Sequence, residues 1–152
     1  AVHRLEDKKF DLDFVREIIE QAAIVYDSKK SGILELGGGV PKNTAQQTGP
    51  LLDQILKRND GGQEYIIQIT DARPDTGGLS GATLQEGKSW GKIQDSHEGI
   101  ITVYADATIA FPILALYVLS NQKERKPKRL YKKIDQLYDK LSKDYFDNPN
   151  RD

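Results

Sequence analysis

The chain has 152 residues, of which 38% are hydrophobic, and this size and composition describe one ordinary domain that is long enough to bury a core. A formal net charge of -1 argues against a nucleic-acid-binding protein, which would normally carry a basic excess. The absence of cysteine excludes disulfides, thiolate metal sites and cysteine nucleophiles.

The histidines and the apolar runs exclude further classes of protein. His3 and His97 are the only histidines and stand far apart, so we predict no metal site. No apolar run is long enough to span a bilayer and no signal peptide opens the chain, which predicts a cytoplasmic protein with no membrane partner. The chain begins at Ala1 and contains no methionine, so we do not expect a reading frame translated from its own start.

The first half of the chain alternates helical and strand patterns. Residues 10–23 repeat apolar side chains at helical spacing and predict an amphipathic helix. The apolar run 33–36 fits a buried strand that leads directly into three glycines. Pro41 favours a helix start, and we expect Gly49-Pro50 to separate a short helix from a second one that continues to Leu56.

The second half continues this alternation. We predict strands at 65–70 and 100–105, with a loop at 71–81 that is long enough to be functional. The almost wholly apolar stretch 109–119 predicts a buried helix.

The C-terminal part begins with the basic run 122–133, which is interpreted as a solvated connection. A last helix follows, and we expect 143–152 to fray. Its predicted apolar face is formed by Leu130, Ile134, Leu137, Tyr138 and Leu141.

Strands separated by helices predict an α/β domain over residues 1–152, with a parallel sheet and helices on both faces. Ligands bind such sheets at the carboxyl ends of the strands. Here those ends are residues 37–39, 70–72 and 106–107, which would converge on one edge.

The most informative stretch is 86–93, which holds the only tryptophan. Lys92 follows Trp90 with one glycine between, so its amine can lie against an aromatic wall where a ligand approaches the backbone. Such crowding disfavours the charged amine, which could then attack a carbonyl or imine carbon. Glu86 could act there as an acid, a base or a cation-binding carboxylate. The alternative is a surface lysine beside a tryptophan that only packs.

Two other features also allow two interpretations. The triple glycine before Pro41 suits a ligand that approaches the backbone closely, or simply makes a tight strand-to-helix turn. Asp106 could accept a hydrogen bond from a ribose hydroxyl, or could cap the helix that follows it.

Four motifs taken together, in this order, resemble the C-terminal half of deoxyhypusine synthase. They are Leu36-Gly37-Gly38-Gly39-Val40-Pro41-Lys42, Ser80-Gly81-Ala82, the stretch from Glu86 to Ile93, and Val103-Tyr104-Ala105-Asp106-Ala107. The resemblance implies a Rossmann-like fold in which this chain is the C-terminal half of a larger doubly wound domain.

The resemblance also implies NAD-dependent aminobutyl transfer. NAD oxidises spermidine, the imine passes to an enzyme lysine with loss of 1,3-diaminopropane, and the butyl imine passes to an acceptor amine before the bound NADH reduces it. The acceptor that the resemblance implies first is a lysine of the hypusine-containing translation initiation factor.

By resemblance, Lys92 occupies the position of the covalent lysine. Glu86 and Trp90 match spermidine-pocket residues, with the indole as a wall for the methylenes and a cation–π partner for the ammonium groups. The other matched substrate-binding positions are Asn43, Gly77, Gly78 and Leu79. The matched NAD-binding positions are Gly38, Thr70, Asp71, Ala72, Asp106 and Ala107.

Two positions depart from the family pattern. Members that modify the translation factor usually have a histidine where this chain has Asn43, and an aspartate where it has Leu79. Both changes remove groups that would hold or deprotonate an amine, and they resemble the bacterial branch of deoxyhypusine-synthase-like proteins. The alternative acceptor is therefore a small polyamine, as in a homospermidine synthase.

The family's N-terminal half supplies further contacts, and its active sites form between subunits of a homotetramer. We therefore expect the N-terminal half or other subunits as partners. Two competing hypotheses are a non-catalytic partner subunit and a plain nucleotide-binding module in which Lys92 only neutralises a phosphate.

Overall fold

The computed structural model describes residues 12–57, 62–94 and 99–149. Within these ranges three strands, β1 (Gly32–Leu36), β2 (Tyr65–Thr70) and β3 (Ile100–Tyr104), alternate with helices. The helices are α1 (Phe14–Tyr26), α2 (Val40–Gln46), α3 (Thr48–Leu56), α4 (Leu84–Ser89), α5 (Ala107–Asn121) and α6 (Ile134–Phe146). Short 3-10 turns occupy Pro74–Thr76, Leu79–Gly81 and Leu130–Lys133.

The strands form a parallel sheet in the order β1-β2-β3. The predicted α/β class and parallel sheet are confirmed. Because neighbouring strands run the same way, the segments that follow them share one edge. The triple glycine, the residues after Thr70 and the start of α5 therefore lie along that edge, as the strand pattern predicted.

The two faces of the sheet differ in burial. On β2, Ile66, Gln68 and Thr70 point to one face, and all three are buried. Glu35 is the register partner of Gln68, so it lies on the same face, and it is buried too. On the other face the edge strands remain open: four apolar side chains are between 37 and 52% exposed, namely Leu34, Leu36, Ile101 and Val103.

A hydrophobic core forms away from the sheet, where α1, α3 and α6 pack together. Ala22 and Ala23 are completely buried, and their small side chains let the neighbouring helices come close. The remaining buried members are Leu52, Leu56, Leu137 and Leu141. Asp13 caps α1 by accepting a hydrogen bond from the Arg16 backbone N–H at 2.9 Å.

Helix α5 corrects one prediction. The stretch 109–119 is helical as expected, but no residue of α5 is buried. The prediction of a buried helix assumed that an apolar helix must be surrounded by its own domain. Here α5 is apolar on every side, and the part of the chain that the structure describes leaves most of those sides open. No described helix combines the length and the apolar character that a membrane crossing requires.

Several boundaries also differ from the pattern. The first helix begins at Phe14 and continues to Tyr26, while Phe10 lies outside the described residues. Gly49-Pro50 lies inside the first turn of α3, where proline is tolerated, so the break between the two helices falls at Gln47 instead. Leu130 belongs to a 3-10 turn that precedes α6.

The basic run and the C-terminal tail differ in structure. Residues 122–129 are exposed and have no regular structure, in agreement with a solvated connection. Fraying from 143 onward stays a prediction, although residues 143–146 are helical. Helix α6 continues to Phe146, and Asn148 Nδ2 donates a hydrogen bond to the Leu56 carbonyl oxygen at 2.6 Å.

We predict that Leu141→Ala lowers the free energy of unfolding by about 2–5 kcal/mol, because it leaves a cavity where α1, α3 and α6 meet. Leu141 is 1% exposed, whereas Phe14, which is 69% exposed on α1, provides the control. Phe14→Ala should change stability by less than about 0.5 kcal/mol. Urea unfolding followed by circular dichroism measures both. Equal losses in the two variants would contradict this position of the core.

Candidate active site

The backbone of Lys92 is fixed by neighbours on both sides. Its N–H donates to the Gly87 carbonyl oxygen at 2.9 Å, and its carbonyl oxygen accepts from the Gln63 N–H at 3.0 Å. A Cβ atom added to Gly62 would lie 2.0 Å from the Lys92 carbonyl carbon, so only glycine fits there. Gln63 and Ile93 form an isolated parallel bridge that continues this contact. The backbone from which the Lys92 side chain extends is therefore held in place.

The side chain of Lys92 extends to helix α2. Its Nζ donates a hydrogen bond to Asn43 Oδ1 at 2.7 Å, and both residues are half-buried. An amide oxygen accepts a hydrogen bond from an ammonium or from a neutral amine, but it cannot remove a proton at ordinary pH. Asn43 thus orients the amine without supplying a negative charge or a base. The hydrogen bond thus joins two of the predicted site residues that are 49 positions apart in the chain.

Glu86 and Trp90 lie on and just after α4, the helix that leads to Lys92. Thr83 and Glu86 form a capping box: Thr83 Oγ1 accepts from the Glu86 N–H, and Glu86 Oε2 accepts from the Thr83 N–H at 3.3 Å. The Glu86 carboxylate is therefore already used in part by the helix. Trp90 follows the last turn, and it is 72% exposed. The described residues therefore leave the indole open to a ligand or to another segment, and both interpretations of Trp90 stay predictions.

The triple glycine forms a tight turn between β1 and α2. Gly37 and Gly39 have positive φ angles of 80° and 76°, which strongly favour glycine. A Cβ atom on Gly38 would lie 2.7 Å from Ser80 Cα. The partner that approaches the glycine backbone is thus Ser80 of the same chain. The glycines thus form the tight turn, and the approach of a ligand to their backbone stays a prediction.

Gln68 connects the two loops that meet at this turn. It is buried in the middle of β2, and its Nε2 donates to the Gly37 carbonyl oxygen at 3.1 Å and to the Ser80 carbonyl oxygen at 2.9 Å. Analysis of the sequence missed this residue. A polar side chain in the middle of an otherwise apolar strand was the available indication, because buried amides require partners.

Lys42 and Glu35 form a second feature that the sequence analysis missed. The Lys42 Nζ donates to the Ala82 carbonyl oxygen at 2.6 Å, and the residue is buried. Burial lowers the pKa of Lys42, while the nearby carboxylates of Glu35 and Glu86 raise it and the charge of Lys92 lowers it further.

Glu35 is buried on the same side of the sheet. Its Oε1 accepts a hydrogen bond from Gln46 Nε2 at 2.6 Å, but its Oε2 has no hydrogen-bond partner. Burial raises the pKa of the Glu35 carboxyl, although the Gln46 hydrogen bond and the charge of Lys42 oppose this shift. A carboxylate inside an apolar strand was again the available indication.

A cavity of about 580 Å³ opens where β2 and β3 end. Three of the predicted NAD-binding residues, Thr70, Asp71 and Ala72, lie beside it or in its wall. Thr70 is buried, and its Oγ1 accepts from the Ala72 N–H at 3.1 Å. The cavity is lined by Asp71, Arg73, Pro74, Tyr104 and Ala105. The exposed carboxylate of Asp71 and the Arg73 guanidinium give this wall hydrogen-bonding groups of both signs.

The other predicted residues have simpler roles in the described structure. Asp106 caps α5, because its Oδ1 accepts from the Thr108 N–H and hydroxyl at 2.7 Å, and these bonds lower its pKa. Ala107 is the first residue of α5. Gly77 has a φ of 79° and, with Gly78, joins two 3-10 turns; Leu79 begins the second turn and is about half exposed.

Comparison with known proteins identifies relatives of this chain. The family model described as deoxyhypusine synthase matches residues 1–118. A protein named "deoxyhypusine synthase-like protein" from Nostoc punctiforme is 46% identical over 150 residues, which is 95% of this chain and 38% of that protein. A "probable deoxyhypusine synthase 2" from Archaeoglobus fulgidus is 41% identical over 127 residues, or 81% of this chain and 41% of that protein.

A third relative, the "deoxyhypusine synthase-like protein" of Thermosynechococcus vestitus, is 42% identical over 153 residues, covering 95% of this chain and 38% of its own length. The chain thus spans about two fifths of the length of the curated relatives it matches. These relatives include bacterial proteins, in agreement with the expected branch.

We predict that Gly62→Ala destabilises the fold by about 1–3 kcal/mol, because the new methyl group would overlap the Lys92 backbone. Gly78→Ala is the matched control: its φ is negative and a Cβ atom there meets nothing within 4 Å. The control should be neutral or slightly stabilising. Thermal unfolding of both variants is the measurement, and a Gly62→Ala protein as stable as the control would contradict the tight contact.

We predict that Glu35→Gln raises the free energy of unfolding near neutral pH by an amount on the order of 1 kcal/mol, a size common for single substitutions. Because burial raises the pKa of Glu35 above its ordinary value of 4.5, ionising it costs free energy only in the folded state. This loss of stability appears as the pH rises from the ordinary pKa of Glu35 toward its raised pKa in the folded state. The gain should therefore disappear below about pH 4, where the carboxyl is protonated in both states.

The exposed Glu124 gives the control for this experiment, since Glu124→Gln should leave the pH dependence of stability unchanged. Chemical unfolding is measured for both variants across the acidic and neutral range. A loss of stability in Glu35→Gln at neutral pH would mean that the ionised carboxylate is a favourable partner for Lys42.

Proposed function

The chain belongs to the deoxyhypusine synthase family, and from that premise we propose that it takes part in NAD-dependent transfer of an aminobutyl group from spermidine, with Lys92 as the residue that carries the group. The observation that carries the proposal is the position of the Lys92 amine. It is half-buried, held by Asn43 at 2.7 Å and supported by a backbone that other segments fix on both sides. Preorganised amines of this kind suit nucleophilic catalysis.

In the proposed reaction, Lys92 acts on the imine that is made by oxidising spermidine. Its neutral amine attacks the imine carbon, the bond from that carbon to the original nitrogen breaks, and 1,3-diaminopropane leaves with the proton that Lys92 gives up. Lys92 then carries the aminobutyl group as an imine. An acceptor amine attacks the same carbon and releases Lys92, and a hydride reduces the product imine to a secondary amine.

NAD, when bound, would accept the hydride from spermidine in the first step and return it in the last. The carboxyl ends of the strands offer suitable surroundings, since the cavity of about 580 Å³ is of the size that ligand pockets have. We propose that the NAD-binding residues are those that line or adjoin this edge. They are Gly38, Thr70, Asp71, Ala72, Asp106 and Ala107.

Spermidine would lie against the segments that flank Lys92. The exposed face of Trp90 can cover methylene groups and attract an ammonium group, an interaction worth about 0.5–2 kcal/mol. The carboxylate of Glu86 is exposed, and its capping bond uses only Oε2, so it can bind a second ammonium group. We assign the turn residues Gly77, Gly78 and Leu79 to the same substrate surface.

For the acceptor we propose first a lysine of the hypusine-containing translation initiation factor. A second candidate is a small polyamine, as in a homospermidine synthase. It is proposed because Asn43 and Leu79 depart from the family pattern of members that modify the translation factor. Asn43 holds Lys92 but cannot remove a proton from either acceptor. Leu79 is also apolar where a carboxylate would hold a bulky, charged acceptor more firmly.

The open surfaces of the domain support a larger assembly. We propose that the chain is the C-terminal half of a doubly wound, Rossmann-like domain, completed by an N-terminal half and by other subunits of a homotetramer. The exposed apolar residues on the edge strands and on α5 are what such neighbours would cover. We place the assembly in the cytoplasm, without membrane or nucleic-acid partners.

Two alternatives make different predictions for the same assay. A non-catalytic partner subunit would not oxidise spermidine by itself, although it could stabilise an active relative. A plain nucleotide-binding module would bind NAD through the strand ends, with Lys92 near a phosphate, but spermidine would leave the nucleotide unchanged.

We predict that the native assembly, loaded with NAD, forms NADH when spermidine is added, as followed by NADH fluorescence. Trp90→Ala should raise the spermidine concentration for half-maximal NADH formation by roughly 3- to 30-fold, because the aromatic contact is lost. Trp90→Phe should keep most of the affinity. Tyr131→Ala, which removes an exposed aromatic residue in the turn before α6, is the control.

Binding of NAD without any NADH formation would favour the nucleotide-binding module. If NAD does not bind to a complete assembly at all, the non-catalytic subunit becomes the better explanation. An unchanged spermidine dependence in Trp90→Ala would remove Trp90 from the substrate surface.

A further inference from the structure

Lys42 is a buried amine next to the proposed nucleophile, and the reaction described above does not use it. It precedes Asn43 on α2, so one helix turn presents two side chains to the site. Asn43 Oδ1 accepts from Lys92 at 2.7 Å, while the Lys42 Nζ donates to the Ala82 carbonyl oxygen at 2.6 Å.

The Ala82 carbonyl lies just before the segment that leads to Lys92. Thr83, the next residue, caps α4, and α4 leads through Trp90 and Gly91 to Lys92. Lys42 therefore ties α2 to the start of α4, and Lys92 is tied back to α2 at the far end of the same segment. A short helix of seven residues has little rigidity of its own, so these two bonds help to hold it, together with the glycine turn before it and the hydrogen bond from Gln46 to Glu35.

Charged groups around Lys42 support a fixed position for its amine. Glu35 faces it from β1 with one carboxylate oxygen lacking a hydrogen-bond partner, and Glu86 faces it from α4. Both carboxylates attract the Lys42 ammonium group, and Lys92 repels it. Because the surroundings are poorly solvated, these charges act more strongly than they would at the surface.

We propose that Lys42 is a positioning residue for Lys92: by binding the Ala82 carbonyl it holds α2, and with it Asn43, at the distance from which Asn43 orients the Lys92 amine. This inference rests on the proposed function of Lys92 as the nucleophile. Lys42 does not touch the substrate in this account, and it acts only through Asn43.

The test measures how fast Lys92 reacts with a simple aldehyde, propanal, in the native assembly. The amine condenses with the aldehyde, water leaves, and cyanoborohydride donates a hydride to the iminium carbon, which leaves a propyl group on the lysine. Peptide mapping by mass spectrometry gives the rate at Lys92 and at exposed lysines in the same sample. The assay needs neither NAD nor spermidine, so it is independent of turnover.

A double-mutant cycle separates positioning from a general loss of stability. Lys42→Met keeps an unbranched apolar stem but removes the N–H donors, and it should slow the labelling of Lys92 roughly tenfold. Asn43→Ala should slow it by a similar factor. If Lys42 acts through Asn43, the double variant should be no slower than Asn43→Ala alone.

Two further variants complete the design. Lys42→Gln retains an amide N–H donor, so it should restore part of the rate, and it replaces Lys42→Met if that variant does not fold. Lys126→Met, which changes an exposed residue of the basic connection, should label Lys92 at the native rate.

Native-rate labelling in Lys42→Met or, where that variant fails to fold, native-rate labelling in Lys42→Gln would overturn the inference. So would losses in the two single variants that multiply in the double variant. If Lys92 of the unaltered protein reacts no faster than exposed lysines, the proposed function itself fails and takes this inference with it.

Discussion

The hydrogen bond from Lys92 Nζ to Asn43 Oδ1 joins two parts of the chain that are distant in sequence, and the candidate site depends on it. On the lysine side, Gly62 and the Gln63 bridge fix the backbone. On the asparagine side, a short helix is held by its glycine turn. Where both ends are fixed, a flexible lysine gives up its conformational freedom during folding, so little remains to be lost when it meets a substrate.

Buried polar side chains, rather than apolar contacts, organise the loops around this bond. Gln68 holds the carbonyls of Gly37 and Ser80 together, and Lys42 holds the carbonyl of Ala82. Each of these carbonyls would otherwise be left without a partner in a crowded region. The sheet thus contributes more than a scaffold: its buried face carries the Gln68 amide, which fixes two loops at its carboxyl edge, and the Glu35 carboxylate, which binds Gln46 of α2. Glu35, with one oxygen lacking a partner, shows that this arrangement has a cost in stability.

Periodicity and motif order were sufficient for the parallel sheet, most helices and the family. The family resemblance also assigned Lys92 and Asn43 to one site. The pairing of Lys92 with Asn43 could not be predicted, since it depends on how a seven-residue helix packs. The roles of Lys42 and Gln68 were missed for a similar reason. Charged and polar residues in a sequence suggest exposure, whereas here hydrogen bonds to distant parts of the chain compensate for burying them. The prediction for helix α5 was wrong in the opposite sense, since its apolar sequence predicts burial that the described residues do not provide.

The most direct test of the account is the mass of the native assembly after incubation with NAD, spermidine and borohydride, followed by peptide mapping. The account predicts an aminobutyl group on Lys92, because only a lysine that forms the imine is permanently alkylated by the hydride. With NAD bound and the assembly complete, absence of any adduct would contradict it. An adduct on Lys42 instead would contradict it in another way, since the carrier would then be the residue to which we assign a positioning role.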